Sequence, residues 1–327
     1  PSLVVAARPK RNQKTDRKPT DPPIHGNREP VSMTPQLHLE RSTIGGSPRA
    51  DPPLGTSLNR CTANVIAGPN RAEHTDAVTI AYDPPSLDGE TLDALLYDHL
   101  NHWGPSEGFY LEHVMSAATV LDIGCGTGTI LRRARGEGHD GRLCGLDPDP
   151  AMLDQARASH AAEWLLAAAA EAPWNGEFDL AIMSGNAFQC LLDDRVTRES
   201  LTAVRRALTD GGRFVFDTRN PAATAWRTWN SGHPFEFVDP LGEPMRVHQK
   251  ASEPDEHGVV TLETYFSASY WDRPLKASCG LRFIGPDHLD RHLDAAGFAV
   301  QQRYGAFDKT AFDPEASGSI ITVATAL

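Results

Sequence analysis

Cysteine is scarce in this sequence and nowhere paired. Its five cysteines (Cys61, Cys125, Cys144, Cys190 and Cys279) are widely spaced, with no Cys-x-x-Cys, which excludes a disulfide framework and fits a reducing, cytoplasmic setting. No apolar run approaches the length of a membrane span, so no membrane partner is expected. Leu3 to Ala7 is too short and wrongly flanked for a secretory signal. Basic charge is also in deficit, and unevenly. Residues 1–75 hold 11 Lys/Arg against 6 Asp/Glu, leaving 20 basic against 37 acidic residues in the remainder. A body that acidic repels a phosphate backbone through its long-range field, which argues against a nucleic-acid partner. The first 75 residues lack periodicity as well. They hold 11 of the 25 prolines and no repeating apolar pattern, so a disordered extension is expected over 1–75 and the folded domain over 76–327.

What is present centres on residues 118–128, Ala-Thr-Val-Leu-Asp-Ile-Gly-Cys-Gly-Thr-Gly. A short strand-forming run ends in three glycines on alternate positions, Gly124, Gly126 and Gly128, and a helical stretch follows from Thr129 to about Gly136. Strand, glycine turn and helix make the first half of a βαβ unit. The spacing is not that of a dinucleotide fingerprint, because Thr129 stands where the third glycine would be. Asp122, two residues before the first glycine, would repel a pyrophosphate but suits an ammonium. A second strand ends in Asp147, 19 residues after Gly128, where an acid can accept from both ribose hydroxyls. Neutral ribose, cationic amino acid and no phosphate together describe S-adenosylmethionine.

On these residues the chain resembles the class I S-adenosylmethionine-dependent methyltransferases. Asp122 to Gly128 matches their first motif and Leu146-Asp147 their second. Phe178 to Ser184 matches their fourth strand, and Leu208 to Phe216 the run into the fifth. The resemblance implies an α/β fold: a Rossmann-like, doubly wound seven-stranded sheet with a terminal antiparallel hairpin, and an antiparallel β insertion after strand 5. It implies S-adenosyl-L-methionine as cofactor, with Asp122, Gly124, Cys125, Gly126, Gly128, Asp147, Pro148, Met152, Ser184 and Gly185 around it. In one respect the sequence departs from the family pattern. Ala168 stands where an acid usually accepts from the adenine amino group, leaving Glu171 as the nearest carboxylate. That gap leaves a second reading open, a regulatory protein that binds the cofactor without turnover.

Further elements follow from periodicity. A helix is expected over Thr91–Asn101, then an aromatic loop over His102–Tyr110 and a second helix through Met115; the resemblance implies that this segment, 87–116, is a helical lid over the cofactor mouth. Tyr82, Tyr97, His102, Trp103 and Tyr110 are its aromatic candidates. Asp149-Pro150 is a well-formed helix start, and Arg195–Leu208 is amphipathic. The strand over 180–183 opens into Ser184-Gly-Asn-Ala-Phe-Gln189, and the strand over 213–216 delivers Asp217 and Arg219, a potential ion pair, to the same rim. Asn186, Asp217 and Tyr110 are the candidates for handling the acceptor and its proton. From Phe235 to Phe283 the period shifts to 2, and three antiparallel strands are expected as a cap, with Arg246, His248, Tyr265, Tyr270 and Arg282 as candidate contacts. A homodimer built on this sheet is compatible with the sequence. Asp83-Pro84-Pro85 is similar to the loop of nucleobase amino-methyltransferases, but Ser86 follows where an aromatic would stack, so a turn is expected. His288 and His292 are four apart on a helix over Pro286–Ala296. No third ligand is evident, and no metal is expected. The function expected is methyl transfer to a small-molecule acceptor.

Overall fold

The computed structural model describes residues 86–230, 234–240 and 242–327. The extension expected over 1–75, Tyr82 and the Asp83–Pro85 turn lie outside these residues.

Two helices open the described chain, α1 (Gly89–Leu100) and α2 (Pro105–Met115). Both starts are written in the sequence. Asp88 caps α1 by accepting from the Thr91 amide at 2.7 Å. Pro105 sits at the first position of α2, and Glu107 reaches back to the Gly104 amide at 2.9 Å. Helix α2 therefore begins five residues before the expected loop would end, and Phe109 and Tyr110 are helical and buried.

There follow β1 (Thr119–Ile123), α3 (Thr129–Gly136), β2 (Arg142–Asp147), α4 (Pro150–Arg157), β3 (Glu163–Leu166), β4 (Phe178–Met183), α5 (Asp194–Ala207) and β5 (Leu208–Arg219). After the cap come α7 (Pro286–Ala295), β10 (Phe298–Tyr304) and β11 (Ser319–Ala326). The seven strands lie in the order β10-β11-β5-β4-β1-β2-β3. Strands β1 to β5 are mutually parallel, and β11 runs antiparallel to both β5 and β10. The expected doubly wound sheet with its terminal hairpin is the one observed.

Sheet burial on both faces explains the near-continuous apolar strands. In β1, Leu121 and Ile123 join a core with Val204, Phe214 and Phe298, while Val120 faces the opposite layer with Tyr110, Ile130 and Leu180. The amphipathic α5 buries Leu201, Val204 and Ala207 and is capped by Asp193, which accepts from the Val196 amide at 2.7 Å. Such a cap contributes about 1 kcal/mol.

Between β5 and α7 the chain forms α6 (Ala225–Trp229) and an antiparallel sheet, β6 (Phe235–Val238), β7 (Pro244–Ala251), β8 (Val259–Ala268) and β9 (Leu275–Arg282). It has four strands, not the expected three. The additional turn is closed by Asp239, whose carboxylate accepts from the Glu243 amide at 2.8 Å, and it splits what reads in the sequence as one alternating run. This sheet packs on α1: Leu92, Leu96 and Leu100 form one cluster with Met245, Val247, Phe266 and Ala277. The helix and the antiparallel insertion expected as lid and cap, separate in the sequence, pack on one another. No helix among the described residues is long and apolar enough to cross a membrane.

Candidate active site

The central strand β1 delivers its carboxyl end to the glycine turn. Gly124 and Cys125 both donate their amides to the Leu146 carbonyl of β2, at 2.8 and 3.0 Å, which folds the turn over the end of the sheet. Gly124 has φ +70°, and a Cβ there would come within 2.9 Å of the Ala187 methyl. Gly128 has φ +76°, and a Cβ would strike the Trp164 ring at 2.3 Å. The two glycines thus answer different demands. The first keeps the turn close to the loop after β4, and the second lets a tryptophan pack beneath the turn. Cys125 is buried with Leu153 and Ala156, and burial raises its thiol pKa well above the ordinary value. It acts as a small apolar wedge.

Two acids flank this turn. Asp147 is buried, with Oδ2 accepting from the Gly126 amide at 2.9 Å and Oδ1 from the Asp149 amide at 2.8 Å. Its carboxylate retains acceptor capacity for hydroxyl donors, since each oxygen carries two lone pairs. Burial raises its pKa to about 6. Asp122 is 1% exposed, and among the described residues its Oδ1 has no hydrogen-bond partner. Burial, then the charge of Asp147, raise its pKa to about 8. An unpartnered carboxylate oxygen at the root of the turn is costly to the free protein. A ligand ammonium would satisfy it, so the residues present fit the amino-acid end of S-adenosylmethionine. Of the remaining cofactor candidates, Met152 is buried beneath Gly126 and Pro148 is half-buried between Asp147 and Asp149. Ser184 and Gly185 are half-buried in the facing loop.

The three residues named separately for the acceptor side form one hydrogen-bonded group. Tyr110 is fully buried and its hydroxyl donates to Asp217 Oδ1 at 2.5 Å. Asp217 Oδ2 accepts from the Asn186 amide at 3.1 Å. Asn186 holds φ +62°, and its side-chain Oδ1 is buried without a partner among the described residues. Burial raises the pKa of Asp217 to about 6, against the lowering effect of the Tyr110 hydrogen bond. Burial and the neighbouring Asp217 raise the Tyr110 pKa well above the ordinary phenol value. Tyr110 is thus a fixed donor beneath the rim, neither a lid aromatic nor a proton acceptor. Arg219 turns to Gln189, donating to its Oε1 at 2.7 Å, and lies over the Trp229 ring at 5.1 Å.

Helix α1 is fastened to the glycine turn and to α4 by residues that periodicity does not single out. Asp98 accepts from the Thr127 hydroxyl at 2.6 Å and pairs with Arg132 at 2.6 Å. The Gln155 side chain of α4 donates to the Ala94 carbonyl at 2.5 Å. Between α1, the cap and the loop after β2 lies a pocket lined by Glu90, Asp93, Asp149, Thr264, Ser278 and Cys279, among others. Asp93 is 7% exposed, and burial, then Asp149, raise its pKa to about 8.

The cap residues singled out from sequence do not line this pocket. Arg246 pairs with Glu236 on the exposed face, His248 is exposed, and Tyr265 donates to Glu263. Strand register puts them on the face opposite Met245, Val247 and Phe266, which pack on α1. Tyr270 is exposed, and Arg282 pairs with Asp194. On the lid, Tyr97 is half-buried, His102 is exposed, and Trp103 lies outside under the Arg133 guanidinium at 5.3 Å. Glu171 does not reach the cleft: its carboxylate caps a 3₁₀ turn by accepting from the Ala168 amide at 2.8 Å.

Residues 120–212 match a family model described as a methyltransferase domain. A malonyl-[acyl-carrier protein] O-methyltransferase of Hahella chejuensis is 31% identical over 102 residues, 30% of this chain and 36% of that protein. The chain therefore matches only about a third of that relative's length. Among solved structures, an S-adenosylmethionine-dependent methyltransferase from Clostridium acetobutylicum aligns over 72% of this chain and 96% of its own, with TM-score 0.59 and 14% identity. The sugar N-methyltransferase KedS8 from Streptoalloteichus aligns over 77% and 99%, with TM-score 0.57 and 20% identity. At these identities the structural likeness establishes the fold. Sheet order, motif order and the family match converge: residues 120–212 match a methyltransferase domain, and the chain has the fold of S-adenosylmethionine-dependent methyltransferases.

Proposed function

We propose that the chain transfers a methyl group from S-adenosylmethionine to a small-molecule acceptor bearing an amine. The observation that carries this reading is a pair of buried oxygens without a partner among the described residues, Asp122 Oδ1 near the carboxyl end of β1 and Asn186 Oδ1 in the loop after β4. Ligands of open α/β folds bind at that edge. The cofactor supplies a methyl already activated on a sulfonium, so the protein's work is alignment and exclusion of water. Asp122 holds the ammonium and Asp147 the ribose hydroxyls. Asp217, fixed by Tyr110, holds the Asn186 turn in its left-handed conformation. Asn186 Oδ1 then accepts an N–H of the acceptor, which orients the nitrogen lone pair.

The amine is favoured by the carboxylates of the pocket, Glu90, Asp93 and Asp149, and by the acidic surplus of residues 76–327. An amine also needs no strong base, only a carboxylate to take its proton. The sugar N-methyltransferase KedS8 and the amino pentose methyltransferase CalS10 share the fold.

The reading is tested by calorimetry with S-adenosylmethionine and S-adenosylhomocysteine, followed by mass spectrometry of a panel of small amines, alcohols and carboxylic acids incubated with enzyme and cofactor. Methylated amines are expected, at rates that collapse in Asn186→Ala with cofactor binding retained. Methylation confined to carboxylic acids or alcohols would overturn the amine assignment. Failure to bind either cofactor form would overturn the whole reading.

A further inference from the structure

The two histidines on α7 do not stand alone. His288 and His292 stack with ring centroids 4.8 Å apart, and their Nε2 atoms lie 3.2 Å from one another. Asp194, the first residue of α5, brings its Oδ1 to 3.1 Å from both nitrogens. In sequence Asp194 is 98 residues from His292, so helical spacing could supply the pair but not the third donor.

We propose that Asp194, His288 and His292 form a binding site for a first-row divalent cation, with Zn²⁺ as the representative ion, clipping α7 to the N-terminus of α5. Three donor atoms with edges of 3.1 to 3.2 Å form one face of a coordination polyhedron. Its centre lies about 1.9 Å from each donor if tetrahedral and about 2.2 Å if octahedral, bracketing the usual zinc–ligand lengths. Two imidazole nitrogens and one carboxylate select zinc, nickel, cobalt or iron over calcium and magnesium, which prefer oxygen. Without an ion, one Nε2–H can donate to the other Nε2, and the accepting nitrogen then turns a lone pair, not a proton, toward Asp194 Oδ1; a Lewis acid satisfies all three atoms at once.

Arg282 works against the ion. Its guanidinium also bonds Asp194 Oδ1, at 2.5 Å, and a fixed cation there weakens metal affinity, so micromolar rather than nanomolar binding is expected. Asp194 is half exposed and His288 a third exposed, which leaves the outward coordination positions to water. The clip also touches the cap, because Arg282, which pairs with Asp194, is the last residue of β9. This proposal does not depend on the methyl acceptor or on catalysis.

The test uses full-length, tag-free protein stripped with a chelator. Zn²⁺ titrated by calorimetry is expected to bind one ion per chain and to raise the thermal midpoint by about 5–10 °C at a hundredfold excess over Kd. His288→Gln, at a position a third exposed, is expected to match wild type in chelator and to lose both effects. Should that variant misfold, Co²⁺ added to wild type decides: visible d–d bands of a nitrogen–oxygen site, displaced by one equivalent of Zn²⁺, support the clip. No one-to-one binding in the micromolar range, an unchanged isotherm in folded His288→Gln, or a cobalt spectrum like that of the aqueous ion would each overturn it.

Discussion

Asp122 carries the proposed ammonium contact on one buried side chain. Its carboxylate sits in the middle of the sheet with a pKa raised to about 8 by burial and by Asp147, so at pH 7 the free protein holds it largely protonated. An ammonium binds the ionised form, and binding must therefore release close to one proton at neutral pH. Affinity for the cofactor is expected to fall about tenfold per pH unit below 8, with Asp147 adding to the loss below its own pKa of about 6. Calorimetry at pH 6, 7 and 8, in buffers of different ionisation enthalpy, reads both the affinity and the proton. A flat profile would disprove the ammonium assignment. Asp147→Ala is expected to abolish detectable binding, and wild-type affinity in it would remove the ribose role. These two acids could be read from sequence because a strand, a glycine turn and a second strand tip are local features. Asp98 and Asp93, by contrast, acquire meaning only from what lies across from them: Asp98 is 29 residues from Thr127. No pattern along one helix encodes that.

At the level of elements, α1 joins the two layers. It buries Leu92, Leu96 and Leu100 against the cap and fastens to the glycine turn through Asp98. Asp98→Ala removes the bonds to Thr127 and Arg132 while leaving the apolar contact intact, and the ion pair it breaks is more than a third exposed. Loss of stability should be small, within about 1 kcal/mol, whereas cofactor dissociation in stopped flow should speed up several-fold. A strongly destabilised variant with unchanged dissociation would mean that Asp98 is structural rather than part of a lid latch. Gly128→Ala should be far more damaging, because φ +76° and the Trp164 ring at 2.3 Å oppose any Cβ. The parallel strands are legible in sequence because burial on both faces writes continuous apolar runs. The cap is less so. Its first strand, Phe235–Val238, is four residues long, too short for alternation to separate from its neighbour, and the turn after it depends on an aspartate side chain. Likewise the α2 start was encoded by Pro105 and Glu107, a capping signal that the surrounding aromatics obscure.

Over the whole molecule these buried acids set an unusual pH dependence. Asp93 and Asp122 are raised to about 8, and Asp147 and Asp217 to about 6, all from an unfolded value near 4. Between pH 4 and 8 the native state therefore holds protons that the unfolded chain has released, and stability must fall as pH rises. Exposed acids paired with cations, such as Glu112 and Glu163, are shifted the opposite way, but they titrate below about 4.5 and act only at the acid end. His113, lowered by burial, offsets part of the slope near pH 6. The thermal midpoint of the ligand-free protein is thus expected to be highest near pH 5 and to drop by on the order of 10 °C toward pH 8. Saturating S-adenosylmethionine should flatten or reverse that slope, since the ammonium favours ionised Asp122. Asp122→Asn should raise the ligand-free midpoint at pH 8 while removing the ligand's effect. A ligand-free midpoint that climbs to a plateau between pH 7 and 8 would mean that these carboxylates are solvated or paired in the native protein, and a cleft so wetted would have no unpartnered oxygen to offer a cationic nucleoside.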